Sequence, residues 1–458
     1  HAAQAFATRA YPALPIAGTH IDLQAERLDG NQGRLAMQKF NLGRLLVWGG
    51  FALILLLAPL IFNKGASLSL LCQMGAFIIL ALSYNMLLGQ GGMLSFGHAV
   101  YSGLGAFCAI HALNLAAAGS VAIPVSLIPL VGGIAGLFFG ALFGYVTTKK
   151  SGTTFAMITL GIVELVFACS LMFPKFFGGE GGISTNRVMG ESFFGISYGP
   201  QIQVYYLIAF WLFICTIAMF AFTQTPLGRI INAVRDNPER AEFIGYDPQW
   251  VRYLTLMLSA FFAGISGGLT AINFEIVSAE NVSALRSGSI LLFTVIGGTG
   301  FFFGPIVGAI IGVFLIVMLS NFTSAWQLYF GVFFVLMVMY APGGLAGLMM
   351  QLPSLIQSGK IKHVLPQLAL ILFFAMLMTI GFVMIVEMLY HLSLNTADGS
   401  RMQLLGFALD TAQAYGWVLA ISLIAIGLLG WITVRKNCSC VWNAVNAEVL
   451  DEEKQVRV

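Results

Sequence analysis

Thr225-Pro-Leu-Gly-Arg-Ile-Ile-Asn-Ala-Val-Arg-Asp-Asn-Pro-Glu-Arg-Ala-Glu-Phe-Ile-Gly245 is a charged stretch set between two long apolar runs. It carries Arg229, Arg235, Asp236, Glu239, Arg240 and Glu242. Thr225 can cap a helix that opens on Pro226, because proline suits the first helical position and the threonine oxygen can accept an orphan backbone N–H. Asn237 and Pro238 repeat the same start signal, and Glu239 suits the positive end of a helix. Gly245 can close the second helix in the left-handed conformation. The stretch therefore reads as two short helices joined at Asn237. The second runs from Pro238 to about Ile244 and is only ~10 Å long, too short to cross a bilayer. A rigid, capped, charged element between two membrane crossings suggests a handle for a soluble partner.

The rest of the chain is oily. Hydrophobic residues make up 58% and charged residues 9%, against about 25% charged in soluble domains. The pattern predicts an all-α, polytopic integral membrane protein. No basic cluster with interleaved aromatics is present, so nucleic-acid binding is not expected. Cys72, Cys108, Cys169 and Cys215 lie in apolar runs and read as buried thiols. Cys438-Ser-Cys440 is a candidate for lipidation or metal binding, but without a further His or Cys the pair makes a poor metal site.

Apolar runs place spans near 45–62, 68–88, 98–116, 122–147, 153–173, 204–222 and 253–272. The run 287–296 is too short for a full span and ends at Gly297-Gly-Thr-Gly300; another run opens at Gly304-Pro305. This predicts a broken or half-depth helix, a glycine turn, then a full helix. Spans near 326–340, 365–390 and 415–434 follow, about eleven membrane segments in all. Lys39, Arg44, Lys149, Lys150, Lys360, Lys362, Arg435 and Lys436 fall on one side, which makes both termini cytoplasmic by the positive-inside rule. Residues 174–203 and a polar loop with Asp398, Arg401 and Asp410 then face outward, and residues 349–364 face inward.

Glycines recur every fourth residue at Gly132, Gly136, Gly140 and Gly144, at Gly264 and Gly268, and at Gly304, Gly308 and Gly312. That spacing lines one helix face and allows close backbone approach; it can serve packing or permit sliding. Glu164 is an ionisable group well inside a span. It is expected either to bond a neighbouring helix or to line a solute path. Gln90, Ser95 and His98 border one glycine-rich break; Thr294, Gly297 and Gly298 mark the other, and two interrupted segments point to a transport pathway. His98 has no second metal ligand at helical spacing, so no metal is expected. No phosphate-binding loop, zinc-protease motif or nucleophile elbow occurs. If the protein uses ATP, the ATPase must be another chain.

Leu87-Leu-Gly-Gln-Gly-Gly-Met-Leu-Ser-Phe-Gly-His-Ala-Val-Tyr-Ser-Gly-Leu-Gly-Ala106 resembles the early signature of the branched-chain amino-acid ABC importer permeases. Residues 154–164, with Thr159 and Glu164, and Gly178–Ile183 are similar to the segments that follow in the LivM-type member. In the charged loop Glu239, Ala241 and Gly245 match the family's Glu-Ala-Ala-x-x-x-Gly form, and Arg240 departs from it. Gly297–Pro305 and Ala341–Leu345 look like late signatures. The resemblance covers about 45–348. It implies a permease core over 44–348; the polar tail 1–43, which lacks a signal peptide's long apolar core and is cytoplasmic by charge, and the two-span extension 349–458 depart from what that core needs. It also implies a bacterial inner-membrane importer subunit with ATPase subunits that bind ATP and Mg, a second, LivH-type permease, and a periplasmic or extracellular solute-binding protein. No cofactor is expected in this chain itself, and membrane lipid surrounds it. Residues 226–245 would couple to the ATPase through Arg229, Arg235, Asp236, Pro238, Glu239, Ala241 and Gly245. The solute would be a branched-chain or other hydrophobic amino acid; urea, amides and aromatic acids are also associated with relatives. The competing expectations are a stand-alone secondary transporter with Glu164 as proton carrier, and a passive channel.

Overall fold

The computed structural model describes residues 42–189, 197–341, 343–357, 361–394, 401–404 and 407–434. The N-terminal tail up to residue 41, Pro342, Lys360, Asp398, Arg435, Lys436 and the Cys438/Cys440 pair lie outside the described residues. The described residues are mostly helical: α1 Leu42–Ile61, α2 Gly65–Asn85, α3 His98–Ala117, α4 Ile128–Thr147, α5 Thr153–Met172, α6 Gln201–Gln224, α7 Pro226–Asp236, α8 Pro238–Phe243 and α9 Pro248–Phe274. Then come α10 Ala284–Gly297, α11 Gly304–Phe322, α12 Trp326–Tyr340, α13 Gly344–Gln357 and α14 Ile361–Leu394, and α15 Ala414–Val434. Among the described residues nine helices are long and apolar enough to cross a membrane, or up to ten with one bent pair counted as a span. The shorter α10 is the half-length helix expected from the 287–296 run, begun three residues earlier.

Among the described residues two compact units form: one holds those up to 315 together with 337–346, the other those of 316–336 and from 347 to 434. In the first, the core is α9 wrapped by α2, α3 and α4. The glycine faces explain why these helices come so close. A methyl group added to Gly264 would strike the carbonyl of Gly132, and one on Gly136 the carbonyl of Ala260. Gly267 lies against the Ser102 carbonyl in the same way. Lipid offers no oil-versus-water drive between spans, so this backbone-to-backbone contact supplies the dispersion energy that holds them. Gly308 and Gly312 likewise accept the backbone and ring of Phe293, seating α10 on α11.

Three features differ from the sequence expectation. Residues 174–189 are not a plain loop: β1 Ile183–Ser184 pairs antiparallel with β2 Ile276–Val277, and Arg187 buries itself there. Its Nε donates to the Tyr198 carbonyl at 2.8 Å, Nη1 to the Ile272 and Asn273 carbonyls at 3.3 Å, and Nη2 to Gly199 O and Gln201 Oε1. Glu275, at a φ of 56°, accepts the Arg187 backbone N–H. In the second unit, the expected outer loop carries a hairpin, β3 Arg401–Leu404 against β4 Phe407–Asp410. Residues 344–357, which overlap the stretch 349–364 expected to face inward and were assigned no element, are helical.

The second unit has its own packing logic. Gly381 of α14 faces the Ala420 carbonyl at 2.7 Å, and Gly427 faces Met378 N at 2.8 Å, each measured from where a side chain would begin. The acid in α14 is satisfied: Tyr329 OH donates to Glu387 Oε1 at 2.9 Å.

Candidate functional site

The charged stretch folds as its caps dictate. Thr225 Oγ1 accepts from Gly228 N at 3.2 Å, and Asn237 Oδ1 accepts from Arg240 N at 3.0 Å. Gly245 closes the pair at a φ of 93°, which an L side chain rarely tolerates. Ile231, Val234 and Ala241 are buried at 0–1% exposure, so the pair is docked on the bundle by one apolar edge. Its other edge is bare: Arg229, Pro238, Glu239, Arg240 and Glu242 are exposed, and Phe243 is 89% and Ile244 69% exposed. Two large apolar side chains ringed by charge form the pattern of a protein-docking anchor with a polar rim.

This pair is tied to the first glycine break. After Asn85, α2 widens into a π-turn over Met86–Gln90. Arg235 Nη1 donates to the Gly89 carbonyl at 2.6 Å, while its Nε donates to Asp236 Oδ1 at 2.9 Å. The Arg235 stem lies over Gly92, where a Cβ would meet Arg235 Cγ at 2.7 Å. Gly89 in turn abuts the Thr299 carbonyl of the second break. Charged helices, first break and second break are thus in continuous contact.

Around the first break the polar groups knit loop to helix. Ser83 Oγ donates to Leu80 O at 2.7 Å, so it accepts from His98 Nε2 at 2.9 Å. Tyr84 OH donates to the Ser95 carbonyl at 2.9 Å, and Gly97 N to Ser95 Oγ at 3.3 Å. Phe96 N donates to Thr159 Oγ1 at 3.1 Å. Ser95, His98, Thr159 and Thr294 are buried, and Thr294 Oγ1 bonds the Ile290 carbonyl at 2.9 Å. In this conformation they brace the breaks and face no open space within the chain. Asn85 Oδ1, Gln90 Oε1 and His98 Nδ1 are sealed at this break without a partner. Gly297 and Gly298 pack against Gly304, Gly308, Gly343 and Gly344. Gly298 sits at a φ of 105°, so the turn that ends α10 needs glycine there.

Among the described residues Glu164 bonds no neighbouring helix. It is exposed on the outer face of α5, in a stripe with Met157, Leu160 and Gly161, and it has no hydrogen bond or ion pair among the described residues. Internal spans of this composition are apolar all round, so sequence could not say which way it points.

Sequence reasoning missed two arginines. Arg187 needed the pairing with Glu275, 88 residues away. Arg286 lies in the first turn of α10, one residue before the run taken as apolar. Ser283, whose Oγ accepts from Arg286 N at 3.2 Å, was the available signal that the helix starts earlier.

The family model described as branched-chain amino acid transport system / permease component matches residues 67–342. The chain is 27% identical over 373 residues to the high-affinity branched-chain amino acid transport system permease protein LivM of Salmonella typhimurium, covering 77% of this chain and 84% of that one. It is 28% identical over 291 residues to LivM of Escherichia coli, covering 59% and 67%. It is 27% identical over 206 residues to the fructose import permease protein FrcC of Rhizobium meliloti, covering 41% and 54%. No solved structure matches.

Proposed function

The chain belongs to the family of branched-chain amino acid transport system permease components, and on that footing we propose that it is the transmembrane permease subunit of a bacterial inner-membrane ABC importer. A separate ATPase docks on residues 226–245 and drives a small solute inward. Both termini face the cytoplasm, by the charge distribution. The solute is a branched-chain or other hydrophobic amino acid: two LivM relatives bear that name, while FrcC, named for fructose, covers less of the chain. A second, LivH-type permease and an external solute-binding protein complete the complex, and ATP and Mg bind on the ATPase. Residues 44–348 form the permease core; 1–43 and 349–458 are additions to it.

The observation that carries this reading is the bare edge of α8. Phe243 and Ile244 stand in the open beside Glu239 and Glu242 on an element anchored by Ala241 and bonded through Arg235 to the Gly89 break. A rigid body so connected can pass a push from a soluble motor to the spans. A proton-coupled carrier would need Glu164 on an internal water path, and Glu164 points away from this chain's core. The test is photocrosslinking from position 243 in cells. The expected result is capture of an ATPase chain; a clean Phe243 probe on an active transporter would remove the docking site.

A further inference from the structure

Two arginines reach into the bundle, Arg187 buried and Arg286 partly buried, and they are treated in opposite ways. Arg187 places every side-chain nitrogen on a carbonyl or amide oxygen. Arg286 donates none: its Nε is sealed without a partner, and its two terminal nitrogens, also unbonded, keep contact with open space. The ion pairs among the described residues are Arg187–Glu275 and Arg235–Asp236, so Arg286 is in neither. Its contact is with an aromatic face, the guanidinium carbon 4.9 Å from the centroid of Phe77. Phe77 stands half way along the 26-residue span Gly65–Gln90. A cation in no ion pair, with Glu280 acting on it only from a distance, thus lies near mid-depth in the membrane, where such a charge is costly and marks a ligand or ion route.

Its setting adds to the positive field. Arg286 occupies the first turn of α10, the half-length helix, whose N-terminal amides carry partial positive charge. A helix normally places arginine at its other end. Phe77 holds the guanidinium by its ring face without using a single N–H, which leaves the planar donor set free. Glu280 is the nearest acid in sequence; it is exposed and not within ion-pair distance. The chemistry that fits two terminal N–H groups beside a helix start is a carboxylate, which accepts both. We infer that Arg286 binds the carboxylate of the transported solute on its way through the membrane, with Phe77 as the platform that orients the guanidinium. This rests on the import reading above and deepens it: the permease itself recognises the acid group.

The test uses the complete reconstituted transporter. Phenylglyoxal labelling of Arg286 is followed by mass spectrometry with leucine, with glutamate, with benzoate, or with 3-methylbutylamine, which keeps leucine's apolar tail and amine but lacks the carboxylate. Saturating leucine is expected to slow labelling on the order of tenfold, and the amine to leave it unchanged. Arg286→Gln is expected to cut uptake on the order of 10- to 100-fold, the loss of a charge-assisted hydrogen bond, with Arg286→Lys retaining more. Labelling that no carboxylate affects overturns the inference. So does an Arg286 that is unreactive before any solute is added, because a companion chain then already occupies it. Protection by glutamate or benzoate but not leucine keeps the inference and removes the branched-chain reading. Leucine uptake by the wild type without protection keeps that reading and removes the inference.

Discussion

Arg235 donates a 2.6 Å hydrogen bond to the carbonyl of Gly89, 146 residues earlier in the chain. The bond joins the charged helix pair to the place where α2 stops being an α-helix. A π-turn frees backbone carbonyls from the regular ladder, and Arg235 satisfies one of them with a charged donor. Removing the side chain leaves that carbonyl without its partner and cuts the link between the two elements. Arg235→Ala is therefore expected to lower solute uptake at least tenfold while ATP hydrolysis by the reconstituted complex continues. Uptake and hydrolysis falling together would mean that Arg235 serves assembly alone.

Docking and insertion should separate at α8. Glu239→Lys reverses a charge on the exposed edge, and Phe243→Asp removes the anchor, yet neither side chain supports the bundle. Both variants are expected to insert normally and to lose most of the co-purifying ATPase. Gly245→Pro attacks the same element from the backbone, since proline cannot adopt the positive φ found there. Its transport is expected to fall likewise. ATPase recovery at wild-type levels from all three would move the docking site elsewhere.

Packing should fail at the crossing of α4 and α9. Gly136→Leu drives a side chain into the Ala260 carbonyl. Overpacking of a tight contact costs about 1–3 kcal/mol, and backbone rather than a flexible side chain must move here. Loss of folded protein in detergent, read by thermal unfolding, is expected. Gly161→Leu on the open face of α5, where nothing lies within 4 Å, is the matched control and should leave this chain's stability unchanged.

Glu164→Gln keeps the shape and removes the charge. A bare carboxylate facing lipid is expensive, so a companion chain or a water-filled path should cover it in the assembled transporter. The expected outcome is reduced uptake with the chain itself more stable in detergent. Wild-type uptake would leave the carboxylate without a transport role.

The helix starts were legible because capping is local chemistry: Thr225, Asn237 and Gly245 each act within four residues. The half-length helix was legible because glycines end a short apolar run at Gly297. What could not be read was long-range or directional. Arg187 finds its side-chain acceptors on two distant segments, 198–201 and 272–273, and no local pattern marks them. Glu164 sits on a helix apolar on every side, which carries no signal for its outward direction. Ser95 and His98 were read as bordering a break, but only coordinates show that Thr159 joins them there and that these groups bond one another's segments and brace it. Arg286 was lost to the boundary error at Ser287.

The central claim is that an ATPase in another chain moves this permease through its charged helix pair. Solute uptake into sealed vesicles, with and without the ATPase in the reconstitution, tests it most directly. Uptake is expected only when the ATPase and ATP are both present, and to vanish when either is withheld. Uptake at the full rate from the permease chains alone would contradict the account.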